Sequence, residues 1–561
     1  MTDDTPQPLS LSDMVGHGIA SLQGGDLAQA QLIFDAVLTV APEHFDALHL
    51  RGIVAVNSKD PIQAVQWFLK ALEINPNSAQ AHANCGVALY ELERYGEALA
   101  HYDTALALKP DFFQAHSNRG NALRQLNQIP AAINSYNKAI ALNHQYAPAF
   151  YNRGVALQEA GQLLEAIGSY CQALALAPSD AQTHFNLGDA YHACMQLEAA
   201  LSCYDKCIVL APDYADAHNN RALVLRDLGR LDEALNSFSR AIAIAPMHAD
   251  AHLNMGLTLL LKGDFKTGWE LYEWRWKAKG TNLQIPYFEK TMWLGAPSLF
   301  NKTILIHAEQ GLGDALQFCR YLRLLKNRGA RVLLAVHHTL QPLLQSLDGV
   351  DVFITKGDAL PPFDYHCPLL SLPLAMQTDM QSIPGPQSYL RADANKVRDW
   401  AERLGNKTKP RIGVVWSSTS KFKGDAQRSM AFSQFQQALP IAGFQYVCLQ
   451  KEIKDSDRGS FAERNDIMFF GDQMHDFSDT AALAENMDLI ISTCTSVPHL
   501  SGAMGKSTWI LLGHIPDWRW MLHRDDSPWY SRMKLYRQGA DWQWDAVLRR
   551  VHQDLIALFC K

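Results

Sequence analysis

The sequence predicts an all-α superhelix of about eight helix-pair repeats, followed by an α/β half with two lobes of alternating strand and helix. Three observations carry this prediction: prolines recur at a fixed interval of 34, as from Pro42 to Pro76, the periodicity stops after Gly280, and short apolar runs alternate with amphipathic segments beyond it. A chain of 561 residues also exceeds what one core organises. With 48% apolar and 19% charged residues, the composition excludes wholesale disorder. A net charge of −7 without a dense Lys/Arg run argues against nucleic acid as a partner. The N-terminus lacks a basic and apolar leader, and no uninterrupted apolar stretch is long enough for a membrane span, so a cytoplasmic protein is expected. Ten cysteines without a Cys-x-x-Cys pair read as reduced thiols, with no structural metal.

The repeat elements come first. Pro42, Pro76, Pro110, Pro178, Pro212 and Pro246 share the grid, with His144 in the vacant place. Each closes a run such as Ala-Leu-Ala-Leu-Lys-Pro, where fixed φ and a missing N–H end a helix. Gly18, Gly52, Gly86, Gly120, Gly154, Gly188 and Gly256 form a second grid, completed by Ala222, as expected where paired helices come closest. Together with Ala98, Ala105 and their equivalents, these positions resemble the tetratricopeptide-repeat (TPR) consensus from about residue 9 to 280. Such repeats stack into a superhelix with a concave groove. Asn84, Asn118, Asn152, Asn186, Asn220 and Asn254 lie on a third grid, and side-chain amides can pair with the backbone of an extended peptide without reading its sequence. The ladder is similar to that of the TPR region of O-GlcNAc transferase; asparagine also occurs there as a consensus residue in TPR proteins with other partners. His82, His116, His184, His218 and His252 read as packing residues rather than metal ligands.

Strands are expected at 303–306, 332–336, 352–354, 412–416, 446–449, 488–492 and 508–512. They fall into two sets, which implies two Rossmann-like lobes. The expected boundaries are a flexible N-terminus (1–8), the solenoid (9–280), a junction (281–300), an acceptor lobe (301–395), a polar linker (396–409) and a nucleotide-sugar lobe (410–561). The aromatic stretch from Gly268 to Trp276 is expected to make the junction rigid.

Gly311-x-Gly313-Asp314, Val415-Trp416-Ser417 with Arg428-Ser429, and the run from Asp488 through Thr495-Ser496-Val497-Pro498-His499 to Gly505-Lys506 resemble the bacterial heptosyltransferase-like family. That resemblance implies the GT-B plan of glycosyltransferases. The tail from Pro516 to Trp520, with Ser527 to Tyr530, looks like a subgroup fused to TPRs. The architecture is similar to that of O-GlcNAc transferase and of TPR-linked flagellin glycosyltransferases.

The resemblance makes Asp314 the general base, with His307 and Glu309 as rivals; the other reading of Asp314 is a helix cap. Gly311 and Gly313 would admit a ligand close to the backbone. Thr495, Ser496 and Val497 open a helix whose N–H groups would face a diphosphate, and His499 would add a hydrogen bond. Lys423 and Arg428, in the loop after Trp416 and Ser417, would neutralise the leaving group, with Gln450 and Lys451 on the same rim. Where the family usually has an aspartate stands Cys494, so the donor sugar differs from a heptose or activity is impaired. Asp455-x-Asp457 is set aside as a metal motif because it falls in a polar loop rather than at a strand end.

The function expected is metal-independent transfer of a sugar, with no cofactor beyond the nucleotide-sugar donor, to Ser or Thr of a protein held by the repeats. A glycan or lipid-linked acceptor and a non-catalytic scaffold remain as alternatives. No residue pattern names the sugar or the acceptor.

Overall fold

The computed structural model describes residues 10–281, 283, 288–355, 358–385, 388–418 and 428–559. The expected N-terminal segment 1–8 and Lys423 lie outside them. The chain forms two compact units, residues 1–221 and 222–561.

The first unit is a run of helix pairs, from Leu11–Gln23 with Leu27–Val40 to Ala181–Ala193 with Leu197–Leu210; the first helix of a pair has 13 residues and the second 14. Pro42, Pro76, Pro110, Pro178 and Pro212 sit in the turns between pairs, as their fixed φ requires. A methyl group on Gly120 would lie 2.5 Å from the Tyr136 ring, and one on Gly154 would lie 2.6 Å from Tyr170. The glycine grid therefore marks the places where an aromatic ring of the second helix presses on the backbone of the first.

The second unit contains the last repeat and both sheets. Helices Leu231–Ile244, Ala249–Lys262 and Phe265–Tyr272 precede the strands. Strands β1 (Thr303–His307), β2 (Arg331–Ala335), β3 (Val352–Ile354) and β4 (Tyr365–Pro368) form a parallel sheet in the order β3-β2-β1-β4. Strands β5 (Arg411–Val415), β6 (Gln445–Cys448), β7 (Ile467–Phe469), β8 (Leu489–Thr493), β9 (Thr508–Leu512) and β10 (Met533–Arg537) form a second, also parallel, in the order β10-β9-β8-β5-β6-β7. This is the α/β architecture the strand pattern predicts. β4, β7 and β10 are additions to it.

Most of the stretch expected as a polar linker, 396–409, belongs to a helix, Ala394–Leu404, capped by Asp393. Trp400 and Leu404 pack with Val415, Val447 and Leu449, and Lys396 donates to Ser478 at 2.6 Å and Asp479 at 2.7 Å. Asp457 also lies in a helix, Asp455–Ala462, rather than in a loop.

The aromatic stretch after Gly268 is part of the core. Trp269 Nε1 donates to the Thr378 carbonyl at 3.1 Å, and its ring meets Trp518 edge-on at 5.1 Å. Arg275 has no exposed surface and donates to Glu273 at 2.6 Å, Glu309 at 3.1 Å and Ser371 at 2.7 Å. Its guanidinium also stacks 4.6 Å from the Trp276 ring. The last repeat thus shares one hydrophobic core with both sheets.

Candidate functional site

In the second sheet the strand order reverses between β5 and β8, and open parallel sheets bind ligands beyond the carboxyl ends of strands at such a point. A cavity of about 280 Å³ lies there. Ser417 and Ser418 beyond β5, Gln450 and Lys451 beyond β6, and Thr495, Ser496 and Val497 beyond β8 all line it. Six of the residues expected to hold a donor are therefore gathered in one place.

Their roles differ. Gln450 Oε1 accepts from the N–H groups of Trp416 at 2.7 Å and Ser417 at 3.2 Å, so its amide shapes the loop. The Trp416 ring is buried, and its Nε1 donates to Asp457 Oδ2 at 2.8 Å. Asp457 also accepts from Phe432 N–H at 3.0 Å, which makes it a structural carboxylate. Thr495 caps helix Ser496–Ala503, its Oγ1 accepting from Val497 N–H at 3.4 Å. Pro498 removes one of the donors such a terminus ordinarily offers and the Val497 N–H is turned to Thr495, which leaves Ser496 to supply a backbone N–H to an anion. Lys451 is exposed on the rim. Arg428 instead lines a second cavity, with Cys494 and Asp517.

Gly313 and His499 meet each other rather than opening onto space. A methyl group on Gly313 would lie 2.9 Å from His499 Cδ2 and 3.4 Å from Ser496 Cα, so the missing side chain lets the two lobes close together. His499 is buried with its Nδ1 3.0 Å from Tyr530 Oη and its ring stacked on Trp520. Gly311 is exposed, and its N–H donates to Asp314 Oδ2 at 2.9 Å.

That bond is the cap reading of Asp314. Its other oxygen, Oδ1, accepts from Arg519 at 2.5 Å. Arg519 also donates to Gln317 Oε1 at 2.7 Å and to both Asp517 oxygens, at 2.9 and 3.1 Å. Burial raises the Asp314 carboxyl above its ordinary value, with Arg519 opposing. Glu309 accepts from Leu369 N–H, Leu370 N–H and Arg275, and burial pushes it up to about 7. His307 lies 3.3 Å from His366 across the first sheet. Cys494 Sγ accepts from Trp520 Nε1 at 3.1 Å, and burial pushes its thiol up to about 11. It remains an uncharged, hydrogen-bonded sulfur.

Burial pushes His307 and His499 down to about 3, so both are neutral when folded. Unfolded, they titrate near 6.5. Protons then favour the unfolded chain, so stability is intact above pH 6.5 and is lost as pH falls from there toward 3. His499→Phe is expected to flatten that fall by about 1.4 kcal/mol per pH unit, read from urea midpoints at pH 6 and pH 5. An unchanged slope contradicts a neutral buried ring.

In the repeat region the asparagine grid is half-buried throughout. Asn84 Nδ2 lies 3.0 Å from His49 Nε2, Asn186 donates to Tyr151 Oη at 3.0 Å, and Asn220 donates to Asp189 at 2.9 Å. These three amides tie one repeat to the one before, a role the sequence did not disclose. The histidine grid has the packing role expected. Nε2 of His82, His116, His184, His218 and His252 each lies 2.9–3.1 Å from the carbonyl of the proline six residues earlier. A carbonyl only accepts, so each Nε2 carries the proton.

Among the described residues no helix is long and apolar enough to cross a membrane. In comparisons with known proteins, a TPR repeat model matches residues 63–93, 88–123, 120–161, 159–194 and 222–263. Further tetratricopeptide repeat models match 181–214 and 203–236. Protein FlbA of Caulobacter vibrioides is 25% identical over 337 residues, 52% of this chain and 52% of that protein. The chain thus spans about half the length of this curated relative. Similar solved structures include YrrB, a TPR protein with an unusual peptide-binding site, at 27% identity over 33% of this chain and 95% of that one, with a TM-score of 0.30. Another is PilW, a type IV pilus biogenesis factor, at 24% identity over 38% of this chain and 98% of that one, with a TM-score of 0.35. The N-terminal region is a TPR superhelix, a fold suited to binding a protein or peptide.

Proposed function

We propose that residues 222–561 form a GT-B glycosyltransferase that moves a sugar, without a metal ion, from a nucleotide donor to a protein acceptor brought by the TPR region. The observation that carries this reading is the cavity at the strand-order reversal. There Ser417, Lys451, Thr495 and Ser496 offer hydroxyls and a cation beside a helix N-terminus, which suits a nucleoside diphosphate. Arg428 lies on the other side of the Cys494–Thr495 turn, where it would meet the leaving diphosphate.

A scaffold without catalysis is the second reading. It is favoured by the engagement of all three expected bases: Asp314 by Gly311 and Arg519, Glu309 by three donors, and His307 by His366. Calorimetry of the full chain with UDP, GDP, ADP and CMP separates the two. The transferase predicts that one of these binds with a Kd of about 1 mM or tighter. Binding of none removes that function. The full chain is required, because a fragment starting at residue 281 loses Trp269 and Arg275 from its core.

A further inference from the structure

A second cavity, of about 490 Å³, lies between the last repeat and the second sheet. Leu257 and Leu261 form one wall, and Asp517 and Trp518 form the other. Both leucines come from helix Ala249–Lys262, where Asn254, Leu257 and Leu261 are spaced i, i+3 and i+7 and so share a face. The last member of the asparagine grid is thereby on the side of the helix that builds the cavity.

This cavity adjoins the first at two points. Cys494 lines one and Thr495 the other. Arg428 lines the second, and its neighbour Ser429 accepts through Oγ from the N–H of Ser418, which lines the first, at 3.1 Å. A ligand on each side would meet across this divide.

The carboxylates nearby are unequal. Two of them line this cavity: Asp227, whose side chain is 11% exposed and paired with Arg226 at 3.3 Å, and Asp517, which is 38% exposed; Glu309, at 4%, and Asp314, at 19%, lie outside its lining. Asp517 Oδ1 accepts from the Arg519 backbone N–H at 3.0 Å and from its guanidinium at 2.9 Å. Oδ2 accepts from that guanidinium at 3.1 Å, with a further lone pair for another donor. Arg519 is shared between Asp517 and Asp314. If Asp517 takes a proton, the buried guanidinium still has a carboxylate partner, which avoids the cost of a stranded cation.

We propose that this cavity receives the hydroxyl-bearing segment of a polypeptide acceptor and that Asp517 is the base, an inference that rests on the transferase function above. The acceptor hydroxyl gives its proton to Asp517 as its oxygen bonds to the anomeric carbon of the nucleotide sugar. The bond from that carbon to the diphosphate oxygen breaks, and the nucleoside diphosphate leaves with the electron pair. Asp314 is then a positioning residue that holds Arg519.

The test uses the full chain and a set of UDP- and GDP-sugars, reading nucleoside diphosphate release with water as acceptor. Asp517→Asn, which keeps the capping oxygen, is expected to slow release by about 100-fold or more. Asp517→Glu is expected to restore part of the rate. Leu257→Trp, which fills the cavity and leaves the carboxylate in place, is expected to block transfer to protein detected by mass spectrometry. If Asp517→Asn releases diphosphate at the wild-type rate while Asp314→Asn does not, the assignment of Asp517 is overturned and the transferase reading stands. If the wild type neither binds nor hydrolyses any nucleotide sugar, the transferase reading falls and this inference falls with it.

Discussion

Replacing Arg275 by alanine is expected to destabilise the second unit at pH 8, above the value of about 7 to which burial pushes Glu309, by about 3–5 kcal/mol, the usual cost of stranding a buried charge. Arg275 has no exposed surface, and its partner Glu309 is 4% exposed. Removal of the guanidinium leaves Glu309 with two backbone N–H groups and no countercharge. It also empties the space against the rings of Tyr272 and Trp276. Of the 13 tryptophans, only Trp67 lies before residue 222, so tryptophan fluorescence during urea unfolding of the full chain reports this unit. Glu309→Gln in the same background is expected to recover part of the loss, because a neutral amide needs no countercharge. A shift below about 1 kcal/mol for Arg275→Ala contradicts a buried pair.

Arg519→Met is expected to have an effect of similar size, about 3–5 kcal/mol, for a related reason. Arg519 holds Asp314, Asp517 and Gln317 together and stacks 4.2 Å from the Trp518 ring. Methionine keeps much of the apolar stem but leaves two neighbouring carboxylates unpaired, and their repulsion favours protonating one. The loss should therefore be larger at pH 8 than at pH 5, measured by the same fluorescence transition. A loss independent of pH across that range points to packing alone.

The repeat half was legible because each of its signals recurs, so Gly120 against Tyr136 repeats Gly86 against Tyr102. Strands β1, β2, β3, β5, β6, β8 and β9 were legible, within a residue or so, as apolar runs. β4, with the sequence Tyr-His-Cys-Pro, and three-residue β7 carry too little periodicity to be seen. β10 alternates exposed Lys534 with buried neighbours but follows a loop dense in turn residues. The helix over 394–404 was read as a linker because its mean character is polar; Val397, Trp400 and Leu404 mark its inner face.

The candidate site was legible as a set of loops and not as a set of roles. Ser417, Lys451, Thr495, Ser496 and Val497 do converge. Arg519 was passed over because its partners outside its own loop are remote, Asp314 across 205 positions and Gln317 across 202, and Asp517 takes its place in the site through Arg519. No local spacing signals such a contact. His499 looked like a ligand for the opposite reason, since its place in the first turn of a helix is local, whereas its burial against Tyr530 and Trp520 depends on a distant loop.

The most direct measurement is a diffraction map of the full chain crystallised with the tightest-binding nucleotide of the four. The proposed function predicts the diphosphate within hydrogen-bond distance of the Ser496 N–H and the Thr495 hydroxyl, the base lodged near Gln450 and Lys451, and the distal phosphate directed toward Cys494 and Arg428. A nucleotide bound away from this cavity, or none bound at saturating concentration, contradicts it.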